Sequence, residues 1–588
     1  MANQIQSDLI PEKFDAKATD KELEATFRKW FTESNTYHEE ILKKQNISER
    51  YYNGEQTNLH DIPIYLSNTV ENRIFEAVET LVPVATANAH QFQVMPADPE
   101  DEKSVKNAQA NDKVLDSKYR TLNIQEKLED ITRDFLIKRF GVLKPFWNDE
   151  TQDIDVEVKD PRLIMVPRKR VKPNGLPYVI EIEGFSREEM TDFFDIKDED
   201  LTMQQPSVET GIDKEHKKGF QVFEVSTSLY KAWFHNNKVV RREINPYFDF
   251  EGEKVKIEGS RKKETKFFNH FDLPKKNYIF FAGFNVSSDP LPDTSLVETV
   301  IPIADAINVQ KRGIINNLKF MGNGQVYVDS DAMTEEEADN MTNEPGLILR
   351  GAGLASEQKI RREPGVPLPN AHFANLQHSE LVFDNIMGVH SATRGAAQAR
   401  TLGQDVLSRQ QDFTRIDTIT RVLNRGVDEL ANWFFQLMRM FYDETHIIKI
   451  LGEERSVETI KFNRDQIEEG IELVVTSGTQ LPMDEVALRT EAVQLWQFGA
   501  IDPTTLFERL KFPNPEKAAQ RLQAWKSGQL TQETEAKIAQ DQAKNKGKQT
   551  PQGGNQNNPK GRGGESITDV ITRAREALAK SPASTEKK

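Results

Sequence analysis

Apolar residues fall at near-helical spacing over residues 21–47. Leu23, Phe27, Trp30 or Phe31, Ile41 and Leu42 stand there among glutamates and lysines, so the stretch is predicted to be an amphipathic helix. It stops at the turn-rich run Tyr51-Tyr52-Asn53-Gly54-Glu55-Gln56. Past Pro63, Ser67 or Asn68 is placed to cap a second helix reaching about residue 82. Two more helical stretches, 102–120 and 125–139, complete an α-rich opening. At Gly141 the period changes. Residues 142–147 and 154–158 read as a hairpin across Asn148-Asp149-Glu150, and strand-like runs follow at 163–166, 178–183, 220–226, 230–235 and 278–284. A short helical piece begins at Ser186.

Ser295 and Glu298 form a capping-box pattern ahead of an apolar-periodic stretch that runs to about Phe320, which predicts a long helix. Pro302, one or two turns in, should kink it or mark a second start, because proline removes an internal hydrogen bond. Glycines and prolines then punctuate the chain to Pro369, with strand-like runs at 325–328 and 347–349, so a small β insert is predicted. Helical spacing returns over 370–387. Residues 388–402, GVHSATRGAAQARTL, are small, free of acidic side chains, and carry Arg394 and Arg400. The longest periodic stretch, 405–442, places Leu423, Val427, Leu430, Phe434 and Leu437 on one face. A strand at 471–475 and helices at 483–498, 503–510 and 515–525 follow. Beyond Thr531 the Gln, Asn, Lys and Gly content predicts a tail that does not fold alone, apart from a short helix at 567–578. No repeat of fixed period is visible. The fold class is α+β.

Composition narrows the function. The 588 residues exceed what one hydrophobic core usually supports, and 37% hydrophobic with 29% charged residues allows several layers. A net charge of -16 argues against an outer surface that grips nucleic acid through a broad basic patch. Zero cysteines remove disulfides, thiolate metal sites and cysteine nucleophiles, and fit assembly in a reducing compartment. The first residues have no apolar core of signal-peptide type, and no stretch has the apolar length of a membrane helix, so a cytosolic origin is expected.

Catalytic patterns are scarce. The Gly547-Lys548 step precedes Gln549, which is not a phosphate-binding loop, and Gly351-Ala352-Gly353-Leu354-Ala355-Ser356 lacks the long helix that dinucleotide binding needs. The ten histidines form no metal-ligand pattern, and His372, His378 and His390 read as solvated or interface residues. Glu335-Glu336-Glu337 and Asp198-Glu199-Asp200 read as solvated helix ends. Neither an enzyme nor a cofactor or metal centre is expected, and a metal-dependent nucleic-acid enzyme is the weaker alternative. Positive charge is more informative because it is uneven. Lys311, Arg312 and Lys319 lie on the capped helix, Arg350, Lys359, Arg361 and Arg362 in the insert, and Arg394 and Arg400 in the acid-free loop.

The order of these parts resembles the portal protein of tailed bacteriophages. The motifs are Tyr51-Tyr52-Asn53-Gly54 followed by Asn68-Thr69-Val70, the Ser295-Leu296-Val297-Glu298 helix start running through Asn308 to Asn316-Asn317, and Leu495-Trp496-Gln497-Phe498-Gly499-Ala500-Ile501-Asp502. The resemblance spans about residues 23–522. It implies a portal-like architecture: N-terminal helices and a β-rich wing (1–294), stem helix 1 (295–320), clip (321–369), stem helix 2 (370–387), tunnel loop (388–402), wing helix and wing completion (403–482) and crown (483–530); the disordered tail (531–588) maps to no shared element of the family. It also implies a ring of about twelve copies at one capsid vertex, assembled in the host cytoplasm, with double-stranded DNA passing through the centre. The implied partners are the terminase large subunit, a head-tail adaptor, and the major capsid and scaffolding proteins, with no membrane. Another head-tail connector or structural ring is the alternative.

Overall fold

The computed structural model describes residues 19–56, 63, 66–87, 90–169, 171–196, 208, 219–249, 252–256, 263–266, 269–271, 274–322, 326–329, 331, 334–339, 359–362, 365–389, 402–442, 446–451, 457–462, 466–467, 472–477, 489, 492–493, 495–510 and 515–526. The predicted strand at 347–349, most of the predicted helix at 483–498 and the tail lie outside them. The architecture is α+β, and the chain divides into two units, Met1–Glu491 and Ala492–Lys588.

The first unit opens with α1 (Asp20–Tyr52), where the Glu22 carboxylate accepts the Thr19 amide at 3.0 Å. Its inner face alternates apolar Phe27, Tyr37, Ile41 and Leu42 with buried Ser34, His38, Gln45 and Ser48. Two of these polar side chains are held by one bond each: Gln45 donates to the Lys138 carbonyl, and the His38 ring meets the Arg162 carbonyl, both at 2.8 Å. The second helix, α2 (Arg73–Thr86), starts later than its sequence suggests, with Asn72 rather than Ser67 or Asn68 as the cap. The cause is tertiary. The Ser67 and Glu71 amides donate to the side chains of Asn316 and Asn308, at 2.6 and 2.8 Å, which holds this segment along another helix.

Strand β1 (His90–Met95) leads to α3 (Glu102–Thr121) and α4 (Ile124–Lys138), close to the two predicted stretches. The predicted hairpin is β2 (Phe140–Asn148) with β3 (Asp153–Lys159), Trp147 opposite Ile154. On its other side β2 takes β11 (Ile279–Ala282), which pairs only with residues 140–143. Pro145 therefore sits in a strand whose second edge is already free of a partner strand, where the missing N–H costs no ladder bond.

The other large sheet is an antiparallel meander of β4 (Ile164–Met165), β5 (Tyr178–Phe185), β6 (Phe220–Thr227), β7 (Tyr230–His235) and β8 (Lys238–Ile244) in that order. Ser186 caps α5 (Arg187–Phe194) with Glu189 in reciprocal contact, as its sequence predicts. The β8 strand, Lys-Val-Val-Arg-Arg-Glu-Ile, has too weak an alternation to stand out. Its signal is the turn before it: Asn236 and Asn237 both take positive φ, 50° and 61°, the hallmark of a tight hairpin. A small ribbon, β9 (Glu253–Lys256) with β10 (Lys263–Lys266), follows.

Between the two large sheets lies a cluster of buried charges. Lys144 Nζ stands 2.6 Å from Glu181 and 2.8 Å from Glu224, Lys159 Nζ is 2.6 Å from Glu181, and Lys231 Nζ is 3.3 Å from Glu224. Tyr278 donates to Glu181 at 2.6 Å. Glu181, Glu183 and Glu224 bring oxygens within 4.8 Å of one another, a spacing that suits a cation, and here lysine ammonium groups supply that charge.

The main core forms around α9 (Leu402–Phe441). Its Leu423, Val427, Leu430, Trp433, Phe434, Phe435, Leu437 and Met438 share one core with Val78 and Leu81 of α2, Leu128, Ile131 and Phe135 of α4, and Phe281 of β11. After it come the hairpin β14 (His446–Leu451) with β15 (Val457–Phe462), and β16 (Glu472–Ser477), which pairs with β1, Phe92 opposite Val475. In the second unit, the helical residues 495–497 end in a left-handed Gly499 (φ 71°), with Gly499 bonded to Trp496 and Ala500 to Leu495. Asp502 then caps α10 (Pro503–Arg509), which packs on α11 (Pro515–Lys526).

Candidate functional site

The predicted long helix is α6 (Leu296–Gly322), unbroken through Pro302. Ser295 accepts the Glu298 amide at 3.0 Å, one half of the predicted capping box. The other half is diverted. The Glu298 carboxylate takes both arms of Arg139, each at 2.9 Å, and the Thr294 hydroxyl at 3.1 Å, which fastens the helix start to the corner between α4 and β2.

Only the first half of α6 enters the core, through Val297, Val300, Ala304 and Ile307. Beyond Asn308 its side chains are half-buried or exposed, including Val309, Leu318, Phe320 and Met321. The partner helix α8 (Asn370–Met387) has the predicted bounds, and of its side chains Phe383 and Met387 are buried. Gln310 meets Ser379, Lys311 meets Glu380 and Asn317 meets the Val366 carbonyl, so the two helices run antiparallel. Phe373 and Leu381 of α8 are exposed. The pair thus leaves several large apolar side chains without cover in the single chain. Gly313 lies on this exposed side, and a Cβ there would meet nothing within 4 Å. Gly313→Ala should therefore stabilise the isolated subunit by up to about 1 kcal/mol, by removing a mid-helix glycine. A rise in the urea midpoint of helix loss checks this, and a fall would mean that the position is already occupied.

Between the helices, β12 (Val326–Val328) pairs with β13 (Ile360–Arg362), Tyr327 opposite Arg361, and a short helix, α7 (Glu335–Asp339), lies between them in sequence. The 325–328 strand is thus borne out within a residue. Its partner strand, 360–362, was missed.

The structure sorts the singled-out cations. Lys311 is engaged by Glu71 and, at 2.8 Å, by Glu380, and both carboxylates hold its pKa above the usual lysine value against the effect of burial. Arg312 is half-buried, with one Nη nitrogen lacking a hydrogen-bond partner, and Lys319 is exposed. Lys359 pairs with Asp331 at 2.7 Å, Arg361 is exposed on the ribbon, and Arg362 stands opposite Val326. Arg350, Arg394 and Arg400 lie outside the described residues. What is described of the acid-free loop is its start, where left-handed Gly388 (φ 75°) ends α8 with its amide on the Asp384 carbonyl at 2.8 Å. Helix α9 already begins at Leu402, three residues before its predicted start.

Asp305, which the sequence reading passed over, completes a polar stripe on α6: Asp305, Asn308, Arg312 and Asn316 fall at i, i+3, i+7 and i+11, a pattern visible in the sequence. Asp305 accepts the Tyr51 hydroxyl at 2.9 Å, Asn308 donates to Gln56 at 2.7 Å, and Asn316 accepts the Ser67 amide. The two N-terminal motifs, 51–56 and 67–71, therefore converge on one helix more than two hundred residues away.

Among the described residues no helix is long and apolar enough to cross a membrane. No curated protein matches the chain. A family model does: residues 293–562 match the phage P22-like portal proteins. The matched stretch begins two residues before the Ser295 cap and takes in α6, the insert, α8, the acid-free loop and α9. It also runs past Thr531 into the tail, which had no counterpart in the resemblance, while the motifs at 51–54 and 68–70 fall before it. Residues 293–562, from the Ser295 helix start onward, are therefore similar to the phage P22-like portal proteins, and this similarity supports a phage portal protein.

Proposed function

We propose that copies of this chain close into a ring whose inner wall is built from α6, α8 and the loop at 388–402, and that double-stranded DNA is packaged and ejected through it. The observation that carries this reading is the helix pair. Its exposed Val309, Leu318, Phe320, Phe373 and Leu381 need covering, and identical neighbours around an axis would cover them. In that arrangement 295–320 and 370–387 are the stem, 321–369 the clip that docks the terminase large subunit and later the head-tail adaptor, 403–482 completes the wing, and 483–530 is the crown. Major capsid and scaffolding proteins are the surrounding partners at the vertex.

The charge distribution suits a conduit. Each neutralised phosphate adds affinity through counterion release, so a wall that lets DNA slide must offer few free cations. The chain is acidic overall, and Lys311 is neutralised by its own protomer. Arg394 and Arg400, repeated by symmetry, would form circles of charge that guide DNA without reading bases.

Imaging of the purified protein should show rings with a central hole. The Arg394→Glu/Arg400→Glu variant should form the same rings and lose packaged DNA by about tenfold or more, through repulsion of phosphate at the constriction. A protein that stays monomeric at packaging concentrations, or a variant that packages normally, would overturn the reading.

A further inference from the structure

Where α6 and α8 leave the core, four charged side chains from three elements form a closed circuit, and a fifth branches from it. Glu71, in the segment before α2, engages Lys311 of α6. Lys311 reaches Glu380 of α8 at 2.8 Å, Glu380 stands 3.5 Å from Arg73 at the start of α2, and Arg73 returns to Glu71 at 3.5 Å. Signs alternate all the way round. Asp384, one turn beyond Glu380, adds a 2.9 Å bond to Arg73, whose guanidinium also lies over the Phe383 ring. The side chains are 12% to 38% exposed, so they are screened less than surface pairs yet remain open to salt.

We propose that this circuit is the joint that sets the angle of the α6–α8 pair against the α1–α2 layer, and that Glu71, Arg73, Lys311 and Glu380 are positioning residues for the channel wall. The apolar anchors at the same level are Ile307, Phe383 and Met387. Apolar contact is non-directional, so these few side chains hold the pair without fixing its tilt. An alternating circuit of charges favours one relative position, because a shear that lengthens its bonds also shortens one like-charged diagonal. Past this level no described side chain of either helix is fully buried, and α6 keeps a further bond from Asn316 to the Ser67 amide, so a small rotation here shifts the outer length of the pair about that bond. The proposal rests on the reading of α6 and α8 as the stem.

The chain has no cysteine, so spin labels can be placed on the full-length protein through Lys44→Cys on α1 and His372→Cys on α8, both exposed positions outside the circuit. Labelled chains are diluted into unlabelled ones, so that pulsed electron resonance reads the distance within one copy. A single narrow distribution is expected at low salt. Lys311→Met keeps the aliphatic stem and removes the charge, and should broaden and shift the distribution. Lys311→Arg keeps the charge and should leave it narrow. An unchanged distribution in Lys311→Met overturns the proposal. So does a Lys311→Arg distribution as broad as that of Lys311→Met, since packing rather than charge would then be responsible. If Lys311→Met does not fold, the unsubstituted labelled protein decides: broadening toward about 1 M salt supports the joint, and an unchanged distribution overturns it. These distances involve no DNA, so failure of the channel reading appears separately, as absent rings or unaffected packaging.

Discussion

Lys144→Met should cost the two packed sheets about 3–5 kcal/mol, the usual penalty for removing one partner from a buried ionic cluster. Lys144 is 9% exposed at its side chain and touches Glu181 and Glu224, at 1% and 4%. Burial acts against its ammonium, and Glu224, Tyr278 and Glu181 outweigh that, holding its pKa well above the ordinary lysine value. Glu224 is held well below the ordinary glutamate range because Lys144 and Lys231 more than offset its burial. Glu183 is pushed up to about 7 by burial and by Glu181, so near neutral pH it carries only part of a charge. Three lysines thus face two full carboxylates and one partial one. Loss of Lys144 leaves Glu181 and Glu224 sharing two cations that reach them from the periphery. Hydrogen exchange across β2, β5 and β6 reads the loss as faster opening of these strands. Lys144→Met combined with Glu224→Gln should recover part of it, because the stranded charge is gone. Equal damage in the single and double variants would mean that packing of the lysine stem, not its charge, matters.

Gly426→Ala should also destabilise, by about 1–3 kcal/mol, the range for overpacking a close-packed core. Two effects compete. Alanine is favoured over glycine inside a helix by about 1 kcal/mol. Against this, a Cβ on Gly426 would lie 2.0, 2.3 and 2.6 Å from ring atoms of Phe281, which is fully buried between α9 and β2. A rigid ring cannot yield as a flexible side-chain end would, so the clash wins. The thermal midpoint should fall, and Phe281→Leu should restore part of it in the double variant. If Gly426→Ala raises the midpoint, Phe281 has room to move and the packing here is looser than the distances imply. Gly313→Ala has the opposite expected sign, from the same substitution in the same kind of helix. Only the surroundings of the added methyl differ.

The elements that local chemistry encodes were legible. Helix α8 kept its predicted bounds because Pro369 cannot continue a helix backwards and Gly388 supplies the left-handed stop. The Ser186 and Ser295 starts and the hairpin at Asn148-Asp149-Glu150 rest on contacts within a few residues, and the apolar face of α9 on spacing along one helix, both of which the sequence reports directly. The family resemblance was legible for the same reason: its parts come in order along the chain, and the match at 293–562 covers most of those that carried it.

What escaped the sequence lies in contacts between distant residues. The start of α2 moved from Ser67 to Asn72 because Asn308 and Asn316 claimed two backbone amides first. The pairing of β1 with β16 joins strands nearly four hundred residues apart, and no local signal specifies a partner at that range. Nothing local to Lys144 in its hairpin strand announces Glu181 and Glu224, which reach it from a second sheet. Lys311 shows the division most plainly. The sequence by itself determined that a cation sits on the second half of a capped helix. Whether that charge faces outward or is neutralised was decided by where Glu71 and Glu380 arrive, since Coulombic attraction depends on distance in space and is indifferent to separation along the chain.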